Sequence, residues 1–316
     1  MDIPAKSERA AVTRHRRSLL SKRVWRSRYL YLMILPTLIY FFIFSYIPYY
    51  GLTIAFRDFK IFLGIGESPW VGLKYFRQFF NSPDFVRLLR NTVLISTLRI
   101  AFGFPVPIIF ALMLNEVRHP LYKRTVQTVT YFPNFLSWVV YAGIMLVFIA
   151  PTGVINMIMR STGRSTVPIL TRGTYFLPML IITDVLKGFG FGAIIYLAAL
   201  AGIDPQLYEA AVVDGANKWQ QVWNVTLPGI RPTIILMLIL ALGGLMNAGF
   251  DQVFQFYNAS VLDVADIIDT FVYRIGLQSS QYSLGTAVGM FKGVIGLILI
   301  VTANSIVRRS GEYSIW

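Results

Sequence analysis

Six apolar stretches, at residues 30–50, 93–114, 127–149, 176–200, 233–250 and 287–307, limit what this chain can become. A helix needs about 20 mostly apolar residues to cross the roughly 30 Å hydrocarbon core of a bilayer. Each stretch comes close to that length. The backbone finds no water there to bond, so a spanning chain must satisfy its own N–H and C=O groups. Composition agrees: 55% of the 316 residues are hydrophobic and 14% are charged, with a mean hydropathy of +0.59. No soluble domain of this length has that balance. The expected fold is an all-α polytopic membrane protein with six transmembrane helices.

Lysine and arginine predict the orientation. With the N-terminus inside, segments 1–29, 115–126, 201–231 and 308–316 hold sixteen basic residues, against ten in the three outer segments. The bias is strongest at the start. There Arg14, Arg16, Arg17, Lys22, Arg23, Arg26 and Arg28 precede the first span, where the positive-inside rule weighs most. This divides the chain into a cytoplasmic basic segment over 1–29, a six-span domain over 30–307 with a cytoplasmic loop at 201–231, and a cytoplasmic tail over 308–316. The first span is too long, and lacks a small-residue cleavage site, for a removable signal peptide.

What is missing narrows the chemistry. Cysteine is absent, which removes disulfides, thiolate catalysis and cysteine-based metal sites. The two histidines, His15 and His119, lie far apart and predict no metal site. No GxxxxGK[ST] sequence occurs, so the chain does not cradle ATP by a P-loop; energy must come from another subunit or a gradient. A lone intramembrane Asp184 supplies no convergent nucleophile, acid and base, so no enzyme is expected. The net charge of +14 forms no groove-reading element, which argues against nucleic acid. The basic start reads instead as a topology anchor touching anionic lipid headgroups. Gly188, Gly190 and Gly192 in the fourth span read as close helix packing rather than a phosphate loop.

The polar stretch from Ala201 to Arg231 is longer than a turn between spans requires, and it reads as a docking handle. Asp204 followed by Pro205 is a good helix start, and Gly215 can end that helix. Ala210 and Ala211 leave a low-profile surface for close approach, while Glu209 and Asp214 offer carboxylates. Pro228 and Pro232 are expected to break the second helical pattern before the next span.

The spacing within this handle is Glu209, Ala210, Ala211, three residues, Gly215, nine residues, Val225, one residue, Leu227, Pro228. It resembles the EAA loop of ABC importer permeases, with Val225 where the family uses isoleucine. The runs at 46–56, 72–93, 111–116, 131–140 and 196–217 and the terminal YSIW resemble permeases of the carbohydrate importers, particularly the polysaccharide or complex-oligosaccharide branch. The likeness covers nearly the whole chain. It implies a type I importer fold in a bacterial inner membrane. It also implies three partners: a second related permease, an ATP-binding cassette ATPase dimer and an extracytoplasmic solute-binding protein. ATP and magnesium would sit on the ATPase subunits and no cofactor on this chain. Glu209, Ala210, Ala211, Asp214, Gly215, Val225, Leu227 and Pro228 would couple ATPase closure to alternating access.

Ionisable residues inside a membrane are expensive and mark candidate pathways. Arg99, Asp184, Lys187 and Lys292 fall within the apolar stretches, and Asn247 lies near the outer end of the fifth. Three cations against one carboxylate suggest an acidic, uronate-containing oligosaccharide, since charge-assisted hydrogen bonds hold a carboxylate well. The alternative pairs Asp184 with Lys187 on one helix face and lets Arg99 and Lys292 snorkel or bond carbonyls of a partner. Tyr131, Phe132, Phe135, Trp138, Tyr141 and Tyr196 read as interface and boundary aromatics more readily than as sugar-stacking rings. Two other functions share some of these features. A permease for an amino acid or phosphate would keep the Glu209 loop without the sugar-branch segments, and a secondary transporter would show an internal repeat.

Overall fold

The long apolar runs fold mainly as helix. The computed structural model describes residues 27–309, so the expected 1–29 segment and 308–316 tail lie almost wholly outside it. Six helical stretches are long and apolar enough to cross a membrane: Arg28–Phe56, Asp84–Asn115, Trp138–Ser161, Gly173–Ala201, Lys218–Gly243 and Tyr282–Arg309. The only bridge between extended segments among the described residues joins Arg57 to Trp70. The first stretch has no buried residue over Arg28–Phe41, while its end, Ile47–Phe56, packs on the sixth span and buries Ala55.

Three boundaries differ from the sequence expectation, each for a physical reason. The second span begins at Asp84 rather than 93, because its polar first turns are satisfied by protein. Asn91 Nδ2 donates to the carbonyls of Asp263 and Asp266, both at 3.0 Å, and the Ile268 amide donates to Thr92 Oγ1 at 3.0 Å. Residues 72–93 therefore form a short helix, Lys74–Phe80, and the outer turns of this span. Phe79 and Leu88 are buried there with Phe271, Leu284 and Val288.

The third crossing, expected as one helix over 127–149, is broken. Helix Pro120–Tyr131 gives way to a tight turn at Phe132–Phe135, and a new helix runs over Trp138–Ile149. Pro133 lacks an N–H and its ring crowds the preceding turn. Ser137 then caps the next helix, its Oγ accepting from the Val140 amide at 3.3 Å. The fifth span behaves oppositely, since Pro228 and Pro232 do not break it. Helix is continuous from Lys218 to Gly243, and a wide π-turn at Val222–Thr226 sits directly before Pro228, giving its ring room.

The segment between spans five and six folds inward. Val253, Phe256, Val261 and Ile267 bury against Ile95 of the second span and Phe176 and Leu180 of the fourth. Asp266 is fully buried. Its carboxylate accepts from both terminal nitrogens of Arg274 at 3.0 and 2.7 Å and from Thr270 at 2.8 Å, with Arg87 at 3.5 Å, as a buried charge requires. Near the same end the Tyr75 hydroxyl donates to Asp58. That bond holds the Asp58 carboxyl below its usual range, while burial, helped by Asp58, pushes Tyr75 up to about 12.

Candidate functional site

The docking handle forms as a helix–turn–helix. Asp204 caps helix Pro205–Val213, its Oδ1 accepting from the Gln206 amide at 2.9 Å. Gly215 terminates it with φ +77°, a conformation that L side chains rarely adopt. Asn217 and Gln220 then start the next helix as a reciprocal capping box, with bonds of 2.9 and 2.7 Å. The Asn217-x-x-Gln220 spacing carries that signal in the sequence.

The Tyr208 and Thr226 hydroxyls lie 3.0 Å apart and tie the handle's two helices together, and Lys218 pairs with Glu116 of the body at 3.1 Å. Glu209, Val212 and Val213 line a hollow of about 570 Å³ together with Asn115 and Glu116. Glu209, Ala210 and Asp214 are exposed and Ala211 partly so. Val213 is 88% exposed and Val212 60%. Val225 and Leu227 are half-buried and Pro228 is exposed, at the foot of the fifth span.

The path candidates separate into three environments. Arg99 and Asp184 form a pair, with Nε to Oδ2 at 2.9 Å and a second, shorter bond from Nη2 to Oδ1. Their side chains are 22% and 19% exposed. Both line a cavity of about 340 Å³ at the junction of spans two, four and five, with Asn247 and Ser96. Because the second span starts at Asp84 and ends at Asn115, Arg99 sits at its midpoint. Ser96 is 3% exposed and its Oγ has no hydrogen-bond partner. Gly249, at φ +79°, packs directly on the Arg99 guanidinium, where a Cβ would collide with Nη1.

Lys187 lies elsewhere. It is 7% exposed and its Nζ donates to the carbonyls of Pro133, Asn134 and Leu136 at 3.1, 3.0 and 2.8 Å. Trp138 and Tyr141 flank the ammonium, with ring centroids at 5.3 and 5.8 Å. These carbonyls lie at the break in the third crossing, where Pro133 O also accepts from the Leu136 amide at 3.3 Å. Lys292 binds both carboxylate oxygens of Asp269 at 2.6 and 2.7 Å. Asp184 therefore pairs with Arg99 and not with Lys187, and two of the three cations are neutralised by carboxylates of the chain while Lys187 is held by carbonyls. Asp269 escaped the sequence count because it lies between spans.

Tyr141 and Tyr196 follow the interface reading, while Phe132 and Phe135 are exposed. Tyr141 is buried and donates to the Thr183 carbonyl at 3.1 Å. Tyr196 is buried with Ala111, Ala193 and Ile230, and Phe135 meets Phe191 edge to face. Gly190 packs on the Thr130 backbone and Gly192 on Pro107, as expected of small residues at helix contacts.

Known proteins share this architecture. Residues 103–312 match the family described as binding-protein-dependent transport system inner membrane component. The chain is 44% identical over 308 residues to Protein LplB of Bacillus subtilis (strain 168), covering 97% of each. It is 45% identical over 302 residues to the polygalacturonan/rhamnogalacturonan transport system permease protein YteP of the same organism, covering 95% of this chain and 94% of YteP. Among solved structures, a chain of a bacterial ABC transporter involved in the import of the acidic polysaccharide alginate matches with a TM-score of 0.85 and 41% identity, over 92% of this chain and 98% of that one. A chain of a bacterial alginate ABC transporter in complex with an alginate pentasaccharide-bound periplasmic protein matches with a TM-score of 0.85 and 39% identity, over 93% of this chain and 99% of that one. The six spans, the exposed Glu209 loop and these near full-length likenesses lead to one assignment: the chain belongs to the binding-protein-dependent transport system inner membrane components, the membrane permeases of ABC transporters.

Proposed function

We propose that this permease carries an acidic, uronate-containing oligosaccharide into a bacterial cell by alternating access. The observation that carries the reading is the near full-length identity to an alginate-importer chain and to YteP. The chain's own charges do not carry it, since Arg99 and Lys292 are paired with carboxylates and Lys187 is committed to three carbonyls. Its partners are a second related permease, an ATPase dimer and an extracytoplasmic binding protein. The apolar side chains exposed along Arg28–Phe41 need cover from lipid or that second permease.

The Glu209 loop faces the cytoplasm in this reading, as the basic N-terminal segment predicts. Val212 and Val213 present apolar surface beside the Glu209 and Asp214 carboxylates, a combination suited to the core and rim of an interface. ATP-driven closure of the ATPase dimer moves two such handles together. The rigid capping at Asp204 and Asn217 passes that motion into the fifth span, whose helix begins within the handle. Arg99, Asp184 and Asn247 line the sugar's path, while Lys187 and Lys292 support the walls. Replacing Gly215 by tryptophan forces a bulky side chain into a left-handed backbone. The expected result is membrane insertion with sugar uptake cut at least tenfold relative to ATP hydrolysed; native uptake by a well-expressed Gly215→Trp complex would contradict the handle's role.

A further inference from the structure

The short helix after the third span is built the wrong way round for a surface bathed in water. Helix Val154–Ser161 turns its amide side chain inward. Asn156 is buried, its Nδ2 donating to the Ala150 and Val167 carbonyls, both at 3.1 Å, and its Oδ1 accepting from the Val167 amide at 2.7 Å. The apolar side chains point outward instead: Met157 is 64% exposed and Ile158 57%, with Val154 and Ile155 exposed beside them. At 3.6 residues per turn these four positions share an arc of about 160°, with Asn156 on the opposite side. Ser161 and Thr162 fall within the same arc, yet both spend their hydroxyls on the Ile158 carbonyl, at 2.8 and 3.1 Å. Such a face belongs against something less polar than water.

Gly153 sets the level at which that face lies. By composition the helix belongs with the third span, Trp138–Ser161, but the straight run ends at Ile149. A Cβ on Gly153 would stand 2.7 and 2.8 Å from the Phe148 and Val147 carbonyl oxygens. Only glycine lets the chain turn back onto the last turn of the span and start a new helix there. Val147 and Phe148 are themselves exposed, so the apolar surface of the span runs up to that turn.

Charge identifies the neighbour. Residues 150–172 hold Arg160, Arg164 and Arg172 and no Asp or Glu. Arg160 gives one nitrogen to the Pro151 carbonyl at 2.8 Å, and all three arginines are exposed. An apolar arc rimmed by arginine at the end of a span is the pattern of a helix lying in the bilayer interface, where guanidinium groups meet lipid phosphates. An acidic sugar would find the arginines but no partner for its hydroxyls along the arc.

We propose that helix Val154–Ser161 is an interfacial lipid anchor on the side of the membrane opposite the Glu209 handle. Val154, Ile155, Met157 and Ile158 lie among the upper acyl chains, and Arg160 and Arg164 lie at phosphate level. The three bonds of Asn156 pin the helix to the returning chain at Val167, so the arc stays turned to the bilayer. The anchor requires the six spans alone and is independent of the substrate.

The chain contains no cysteine, so a nitroxide label can be placed at one chosen position. The test uses the whole complex, with reactive cysteines of the other subunits replaced, in vesicles of phosphatidylcholine and phosphatidylglycerol. Met157→Cys and Ile158→Cys carry the label on the arc, and Thr166→Cys carries it on the exposed loop beyond. Collision with oxygen, which concentrates in lipid, is compared with collision with a water-soluble nickel chelate. The oxygen-to-nickel ratio at Met157→Cys and Ile158→Cys should exceed that at Thr166→Cys about fivefold or more. Ratios equal to that of Thr166→Cys would place the arc in water and overturn the anchor. Labels immobilised and shielded from both reagents would place it against protein and overturn it equally. Adding Arg164→Glu to Met157→Cys should lower the ratio about twofold by repulsion from the phosphates; an unchanged ratio would overturn the phosphate contact.

Discussion

Asp184 and Lys187 stand three residues apart on one helix and represent two uses of an ionised group inside a membrane. Asp184 opens on a cavity shared by three spans and holds the only other charged group lining it, Arg99. Lys187 closes a gap: three carbonyls at the break around Pro133 converge on its ammonium. The first arrangement leaves polar capacity unspent and the second spends it all. Intramembrane charge therefore marks a site worth examining, and the partners decide whether it belongs to the path or to the frame.

The sharpest way to break that comparison is to remove the lysine. Lys187→Met leaves the Asn134 and Leu136 carbonyls without the lysine's donor at about 1–3 kcal/mol each, while Pro133 keeps its bond from the Leu136 amide, so the complex should lose about 2 kcal/mol or more of stability, read as a lower thermal midpoint in detergent. A variant of native stability with uptake abolished would instead move Lys187 into the path. Gly249→Ala should act chiefly on the cavity. Its left-handed backbone costs about 1 kcal/mol with a side chain, and displacement of Arg99 should reduce sugar uptake per ATP about tenfold; a native ratio would separate Arg99 from transport. Lys292→Met exposes the frame at a less buried place, where the pair with Asp269 is 22% and 20% exposed. About 1 kcal/mol of stability should go with it, with uptake per ATP unchanged.

Outside the spans, the Asp58–Tyr75 bond sets the lower limit of the scale. The folded pKa of Asp58 is depressed, so its contribution is present above the unfolded carboxylate value of about 3.9 and is lost as pH falls through the folded one. For Tyr75, raised to about 12, the contribution holds below about 10 and is lost as pH rises through that folded value. Tyr75→Phe should shift the acid unfolding midpoint slightly upward and leave transport unaltered. A transport defect would give this outer segment a further role.

The sequence disclosed much of the fold, because crossing a bilayer imposes a length and polarity that six stretches display. The handle was also legible: Asp204, Pro205 and Gly215 act locally, and local rules read them correctly. What escaped depended on distant partners. Asn91 and Thr92 hide their polarity against residues 263–268, so span two looked shorter than it is. The break at Pro133 was invisible as apolar sequence, since Lys187, which makes it tolerable, lies on another helix. Ser96 and Gly249 carry no individual signal; one becomes notable through an absent hydrogen bond and the other through the guanidinium packed upon it. Asp269 shows why counting charges within spans overstated the positive field.

The most direct measurement is ATP hydrolysis by the complex that co-purifies with this chain, with its binding protein empty, loaded with an acidic oligosaccharide, or loaded with a neutral one. The account predicts a co-purifying ATPase stimulated by the acidic sugar above both other conditions. Stimulation by neutral sugar alone would contradict the proposed substrate, and the absence of any co-purifying ATPase would contradict the importer itself.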